Sequence, residues 1–264
     1  MDFPDGKHKT WKFLNQREIQ FILNRVQADR GDALVEPFHL GKFLAAGADI
    51  KVWGFAMIFF NTTTVTYALA YFLPIILRNG MGYSIGAAQC LVAPPYVFAG
   101  IVMFFTGWAG DKWHLRGPII VFNMVLVLIG LPLMGFHKNV GVRYFGVFLT
   151  CAGANSNVPA TMAYQANNIR GQWKRAFCSA TLVGFGGIGG IAGGLVFRSQ
   201  DSPHYYPGIY AGIACACLSI IIVGLLSIKF VADNKKEARG ELSIEGSEVS
   251  QWLFICRLRS LLTL

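Results

Sequence analysis

Charge is what this sequence is short of. Of its 264 residues only 14% are Asp, Glu, Lys or Arg, against about 25% in an ordinary soluble domain. The shortage is concentrated. No charged residue falls within 52–77, 79–110, 117–137, 144–169, 176–197 or 202–228. About 20 helical residues cross the hydrocarbon core of a bilayer, and every window is that long. Carboxylates are absent from all six windows, which excludes a proton relay built on an intramembrane Asp or Glu. His137, at the end of the third window, is the nearest titratable alternative. Residues 1–51 lack the apolar stretch of a signal peptide. The six cysteines show no zinc-ligand spacing, so no metal site is expected.

What is present is apolar or small: 54% hydrophobic residues, with 30 Gly and 21 Phe. The windows lack the alternation of a barrel strand. They predict an all-α membrane protein with six transmembrane helices, at 53–77, 86–109, 117–136, 143–165, 177–197 and 207–229. Three parts follow: 1–51 as a cytoplasmic linker, 52–229 as the six-helix bundle and 230–264 as a cytoplasmic tail. Within the linker, Asn15 and Glu18 form a capping pair ahead of Ile19, Phe21, Ile22, Leu23 and Val26. That spacing predicts an amphipathic helix ending near Asp29.

The basic residues orient the spans. Segment 1–51 carries eight Lys and Arg, the second-to-third loop two, the fourth-to-fifth loop three and the C-terminal segment from Lys229 six. Only Arg78, Lys138, Arg143 and Arg198 lie on the other side. Both termini are therefore expected in the cytoplasm. The same asymmetry accounts for the net charge of +9 without nucleic acid as a partner; the bilayer is the expected environment.

Polar residues inside spans need a partner or a purpose. Asn61, Thr64, Tyr67 and Tyr71 fall within an arc of about 120° on the first span, at about 100° per residue. Asn157, Thr161, Tyr164, Gln165 and Asn168 fall within about 100° on the fourth. These stripes read either as interhelical hydrogen bonding or as the wall of a substrate path. The third span has no such stripe and reads as lipid-facing. The fifth span carries Gly186, Gly190 and Gly194 as a small-xxx-small packing face. Pro74, Pro94, Pro95, Pro132 and Pro159 mark kinks or helix ends. No catalytic constellation or cofactor motif stands out, and the chain reads as a non-enzyme.

The loop from Gly107 through Gly110, Asp111 and Lys112 to Arg116 resembles the signature loop of the major facilitator superfamily, although His114 replaces a glycine and Leu115 a basic residue. Tyr71–Pro74, Pro94–Val97, Ala166–Asn168 and Lys174–Ala176 resemble more narrowly the fungal anion:cation symporters, which include allantoate, nicotinate, pantothenate and biotin permeases. The segment Arg25–Asp32 resembles the central linker of that branch, and Gly187 departs from it where Asn is common. The resemblance covers about 1–235 and maps onto the C-terminal six-helix half. It implies a secondary transporter for a small organic anion, working by alternating access. It further implies a complementary N-terminal half, a plasma-membrane location, a substrate wall containing the two stripes, and a cytoplasmic latch at Gly107, Asp111, Lys112 and Arg116. The alternative is a truncated, non-transporting membrane protein or a partner-binding half. A six-helix mitochondrial carrier is excluded by the lack of its threefold Pro-x-Asp/Glu-x-x-Lys/Arg repeat.

Overall fold

The computed structural model describes residues 17, 18, 20–22, 24 and 25, 40–113, 115–169, 171–197 and 205–239. The seven described residues before 40 are helical, with Phe21 and Ile22 exposed. The rest of the expected amphipathic helix, His114, and the tail beyond 239 lie outside the described residues.

Eight α-helices follow in order: α1 Leu40–Ala45, α2 Ile50–Ile75, α3 Ile85–Cys90, α4 Ala93–Trp113, α5 Arg116–Phe136, α6 Val140–Asn168, α7 Gln172–Val196 and α8 Tyr206–Ala238. No strand occurs among the described residues. Five stretches are long and apolar enough to cross a membrane: α2 with its extension to Asn79, α3 with α4, α5, α7 and α8. The sixth expected span, α6, has the length at 29 residues but is not among those five. Asn155, Ser156, Asn157, Thr161 and Gln165 lower its hydropathy.

Short-range chemistry fixes the helix ends. Asp49 caps α2 by accepting from the Lys51 N–H at 2.9 Å. Ser84 and Asn139 cap α3 and α6 in the same way. The second expected span is broken at Leu91–Val92. Pro95 cannot donate to the Leu91 carbonyl, and Tyr144 Oη donates to it instead, at 2.9 Å. Arg143 Nε donates to the Met134 carbonyl at 2.9 Å, serving the last turn of α5.

In the bundle α2 lies against α7, α8 and α6, α6 also against α4 and α5, and α5 against α8. One apolar cluster surrounds Leu73, Leu131 and Met134, towards the end where α2 finishes. The other surrounds Phe55, Ile120, Tyr164 and Phe230, towards the end where α2 begins. The third span is not simply lipid-facing. One face of α5 is buried at Ile120, Asn123, Val127, Leu131 and Met134, while Phe122 and Ile129 on the other are exposed.

Two ion pairs link helix ends: Lys174–Asp49 at 2.5 Å joins the start of α7 to that of α2, and Lys51–Asp233 at 2.6 Å joins the start of α2 to the far end of α8. Lys51 also sits 5.1 Å from the centre of the Phe230 ring. Burial pushes the Asp49 carboxyl up. The Lys174 hydrogen bond, the Lys51 N–H and both lysine charges outweigh that and hold it below its ordinary value. A depressed carboxylate stabilises the fold above its unfolded pKa, about 3.9, and the contribution is lost as pH falls through the folded value. Asp49→Ala should therefore cost about 1–2 kcal/mol at neutral pH, from the cap and a partly solvated ion pair. Asp49→Asn keeps the cap and should cost less than half as much. Thermal unfolding in detergent checks both, and the gap between the two variants measures the cap.

Candidate functional site

The site is built where α7 crosses α2. Glycine on α7 lets the two backbones approach: a Cβ at Gly189 would lie 2.6 Å from the Phe60 carbonyl, and one at Gly193 would lie 2.6 Å from the Thr64 carbonyl. The sequence pattern singles out Gly186, Gly190 and Gly194. Of these, Gly186 meets the Phe59 ring, and Gly190 and Gly194 face the rings of Tyr67 and Tyr71. Those two rings stack on each other, with centroids 5.9 Å apart and planes at 24°. Tyr67, Tyr71, Gly187, Gly190, Ile191 and Gly194 line an open cavity of about 360 Å³. Tyr67 is 42% and Tyr71 55% exposed, so each ring keeps part of its surface open to the cavity.

The other residues of the two stripes are not at this cavity. Thr64 is buried and donates to the Phe60 carbonyl on its own helix. Asn61 is buried, as are Asn157 and Thr161. Asn157 Nδ2 donates to Thr62 Oγ1 at 3.3 Å, joining α6 to α2, and Thr161 donates to the Asn157 carbonyl. Tyr164 packs edge-on against Phe55 and Phe230, with its hydroxyl 3.3 Å from Ser227 Oγ. Gln165 donates to Ser179 at 3.4 Å, and Asn168 to the Tyr164 carbonyl at 2.8 Å. The fourth-span stripe thus runs along the interior contacts of α6. Sequence reading also passed over Thr62, Asn123, Ser156 and Ser219, all fully buried polar side chains; a lone Asn in the otherwise apolar α5 was the available signal.

At the junction of α4 and α5, Arg116 Nη2 donates to Asp111 Oδ1 in an ion pair. Lys112 Nζ lies 4.6 Å from the centre of the Trp108 ring. Gly110 leaves room for Arg116 and Ile119, which a Cβ would approach to 3.2 and 3.1 Å. Gly107 has no neighbour within 4 Å of a Cβ position. Asp111 is largely exposed, so the pair is worth at most about 1 kcal/mol to stability. Asp111→Asn should hence leave folding and membrane delivery nearly unchanged; a cytoplasmic latch further requires that it lower uptake by the chain joined to a complementary six-helix half. Unchanged uptake would make the pair a solvated surface contact.

Among the described residues no group of three or more His, Cys, Asp or Glu could hold a metal. Cys90, Cys151, Cys178, Cys215 and Cys217 are free thiols.

No family model matches the chain. Individual relatives do. A high-affinity nicotinic acid transporter of Saccharomyces cerevisiae is 28% identical over 225 residues, 85% of this chain and 42% of the relative. The MFS-type transporter cnsO of Penicillium expansum is 30% identical over 249 residues, 92% of this chain and 47% of the relative. The major facilitator-type transporter hxnP of Emericella nidulans is 27% identical over 238 residues, 89% of this chain and 48% of the relative. The chain spans about half the length of the curated relatives it matches. These relatives are named as transporters, which points away from an enzyme. With its apolar helices and these relatives, the chain is an integral membrane protein similar, over about half their length, to fungal transporters of the major facilitator superfamily.

Proposed function

We propose that this bundle is one half of a secondary transporter for a small organic anion carrying a planar ring, working by alternating access. In this reading α6 is a sixth span, and a complementary six-helix half closes the substrate site. The observation that carries it is the stacked Tyr67–Tyr71 pair, open to a cavity over the glycine face of α7. Its ring-stacking chemistry suits a heteroaromatic acid, the class to which the nicotinic acid of one relative belongs. The groups lining the cavity are neutral, so the countercharge for the carboxylate comes from the other half. The isolated chain accordingly binds substrate weakly.

Uptake of labelled nicotinate, pantothenate, biotin and allantoate tests the reading, in cells expressing the chain alone and joined to a first half from a relative. Saturable uptake is expected from the joined protein only. Saturable uptake by the chain alone would overturn the half-transporter reading; silence from every joined form would favour a non-transporting membrane protein.

The same reading places the protein in the plasma membrane with both termini in the cytoplasm. The excess of basic residues in segment 1–51 and beyond Lys229 supports the cytoplasmic side for the termini. On a cysteine-free background in intact cells, a cysteine at position 138 should react with an impermeant reagent and one at position 112 should not. The opposite pattern would invert the topology.

A further inference from the structure

Six polar side chains from four helices lie at one level in the middle of the bundle: Asn61 and Thr62 on α2, Asn123 on α5, Ser156 and Asn157 on α6, and Ser219 on α8. Contacts between the helices set this register. Gly54 lies against Leu226, and Asn61 and Ser219 are each seven residues further along the antiparallel pair α2 and α8. Leu131 lies against Gly212, placing Asn123, eight residues back, within one residue of the level of Ser219. Gly153 abuts the Asn123 backbone, and Asn157 donates to Thr62. One residue of mismatch along a helix is about 1.5 Å.

All six side chains are at most 1% exposed, yet their hydrogen bonding is incomplete. Asn61 Nδ2, Asn123 Nδ2 and Oδ1, Ser156 Oγ and Asn157 Oδ1 have no partner among the described residues. Pro159 adds to the deficit, because without an N–H it leaves the Asn155 carbonyl lacking its usual donor four residues on. Thr62 and Ser219 spend their hydroxyl protons on the carbonyls of Ile58 and Cys215, so their remaining lone pairs are acceptors. In hydrocarbon no bulk solvent reaches such groups, and leaving them unpaired costs more than a made hydrogen bond returns.

We propose that this layer is a binding site for ordered water. The chemistry of the orphaned atoms selects the ligand. They include amide N–H donors as well as oxygen acceptors. A bare cation would satisfy the oxygens and repel the donors, whereas water accepts from the first and donates to the second. Five orphaned atoms, at about three hydrogen bonds per buried water, call for about two molecules. Water also exchanges partners more readily than side chains packed directly together, so the layer joins four helices without locking them. The site is independent of the substrate reading and stands whether or not the chain transports.

Radiolytic hydroxyl labelling of the full chain in lipid nanodiscs tests it, because bound water generates radicals at side chains that bulk water cannot reach. Met124, beside Asn123 on α5, is 1% exposed, and Leu131, two turns on, is 2% exposed. In sodium-free choline buffer, and normalised to intrinsic reactivity, Met124 should label severalfold faster than Leu131. Asn123→Leu should bring Met124 down to the Leu131 rate, and the milder Ser219→Ala should reduce it. Equal rates at the two positions in the unaltered chain would overturn the proposal, with no variant required. So would Met124 labelling that persists in Asn123→Leu. Labelling that vanishes when sodium replaces choline would give the site to a cation and overturn it as well.

Discussion

Gly193→Leu should disrupt the extensive contact between α2 and α7. A Cβ at Gly193 would sit 2.6 Å from the Thr64 carbonyl and 2.9 Å from the Ala68 nitrogen. Both are backbone atoms in mid-helix and cannot swing aside. The α2–α7 contact is, with α5–α6, one of the two most extensive in the bundle, so displacing α7 propagates along its length. Overpacking a fitted contact costs about 1–3 kcal/mol, and a leucine against backbone belongs at or above the top of that range. The up to 1 kcal/mol of helix propensity gained on losing a glycine offsets only part of it. Gly187→Leu is the matched control, since nothing lies within 4 Å of a Cβ there. It should cost no stability, and the helix propensity gained there, up to about 1 kcal/mol, is unopposed. Unfolding midpoints in detergent decide the matter. Equal midpoints for the two variants would mean that close backbone approach does not hold α2 to α7.

The same pair of glycines shows what a sequence can and cannot convey. Seven glycines in one span announce a closely packed helix, and that helix is α7. Which of them touch backbone depends on the crossing geometry with α2, and no spacing within α7 encodes it. Gly189 and Gly193 meet backbone, while Gly190 and Gly194 meet tyrosine rings. Helix positions were legible because the scarce charges mark where apolar windows stop. The break at Leu91–Val92 was half legible: Pro94 and Pro95 warned of it, but the rescue of the Leu91 carbonyl by Tyr144 spans 53 positions. The polar stripes were the hardest case. Periodicity puts Asn157, Thr161, Tyr164 and Gln165 on one face, and they do share a buried one. A bundle interior and a cavity wall both concentrate polar groups in a membrane protein, so period alone does not tell them apart. Asn123 was passed over because a single residue makes no stripe.

That distinction yields the second large effect, in the twelve-helix joined protein. Tyr67→Ala and Tyr71→Ala should each raise the KM for a heteroaromatic acid about tenfold. Losing one aromatic stacking contact removes about 0.5–1.5 kcal/mol beyond buried area, and about 1.4 kcal/mol is tenfold in affinity. Tyr→Phe at either position keeps the ring and should retain most of the affinity; the residual loss reports what the hydroxyl contributes. Asn157→Ala should behave differently. Its amide joins α6 to α2 inside the bundle, so its removal should lower the unfolding midpoint and the amount of protein delivered more than it changes KM. The pair of readouts separates wall from interior for each residue of the stripes. A normal KM in both alanine variants of the tyrosines would remove the cavity beside α7 from the substrate path. A raised KM in Asn157→Ala with unchanged stability would move the path inward, onto the buried face of α6.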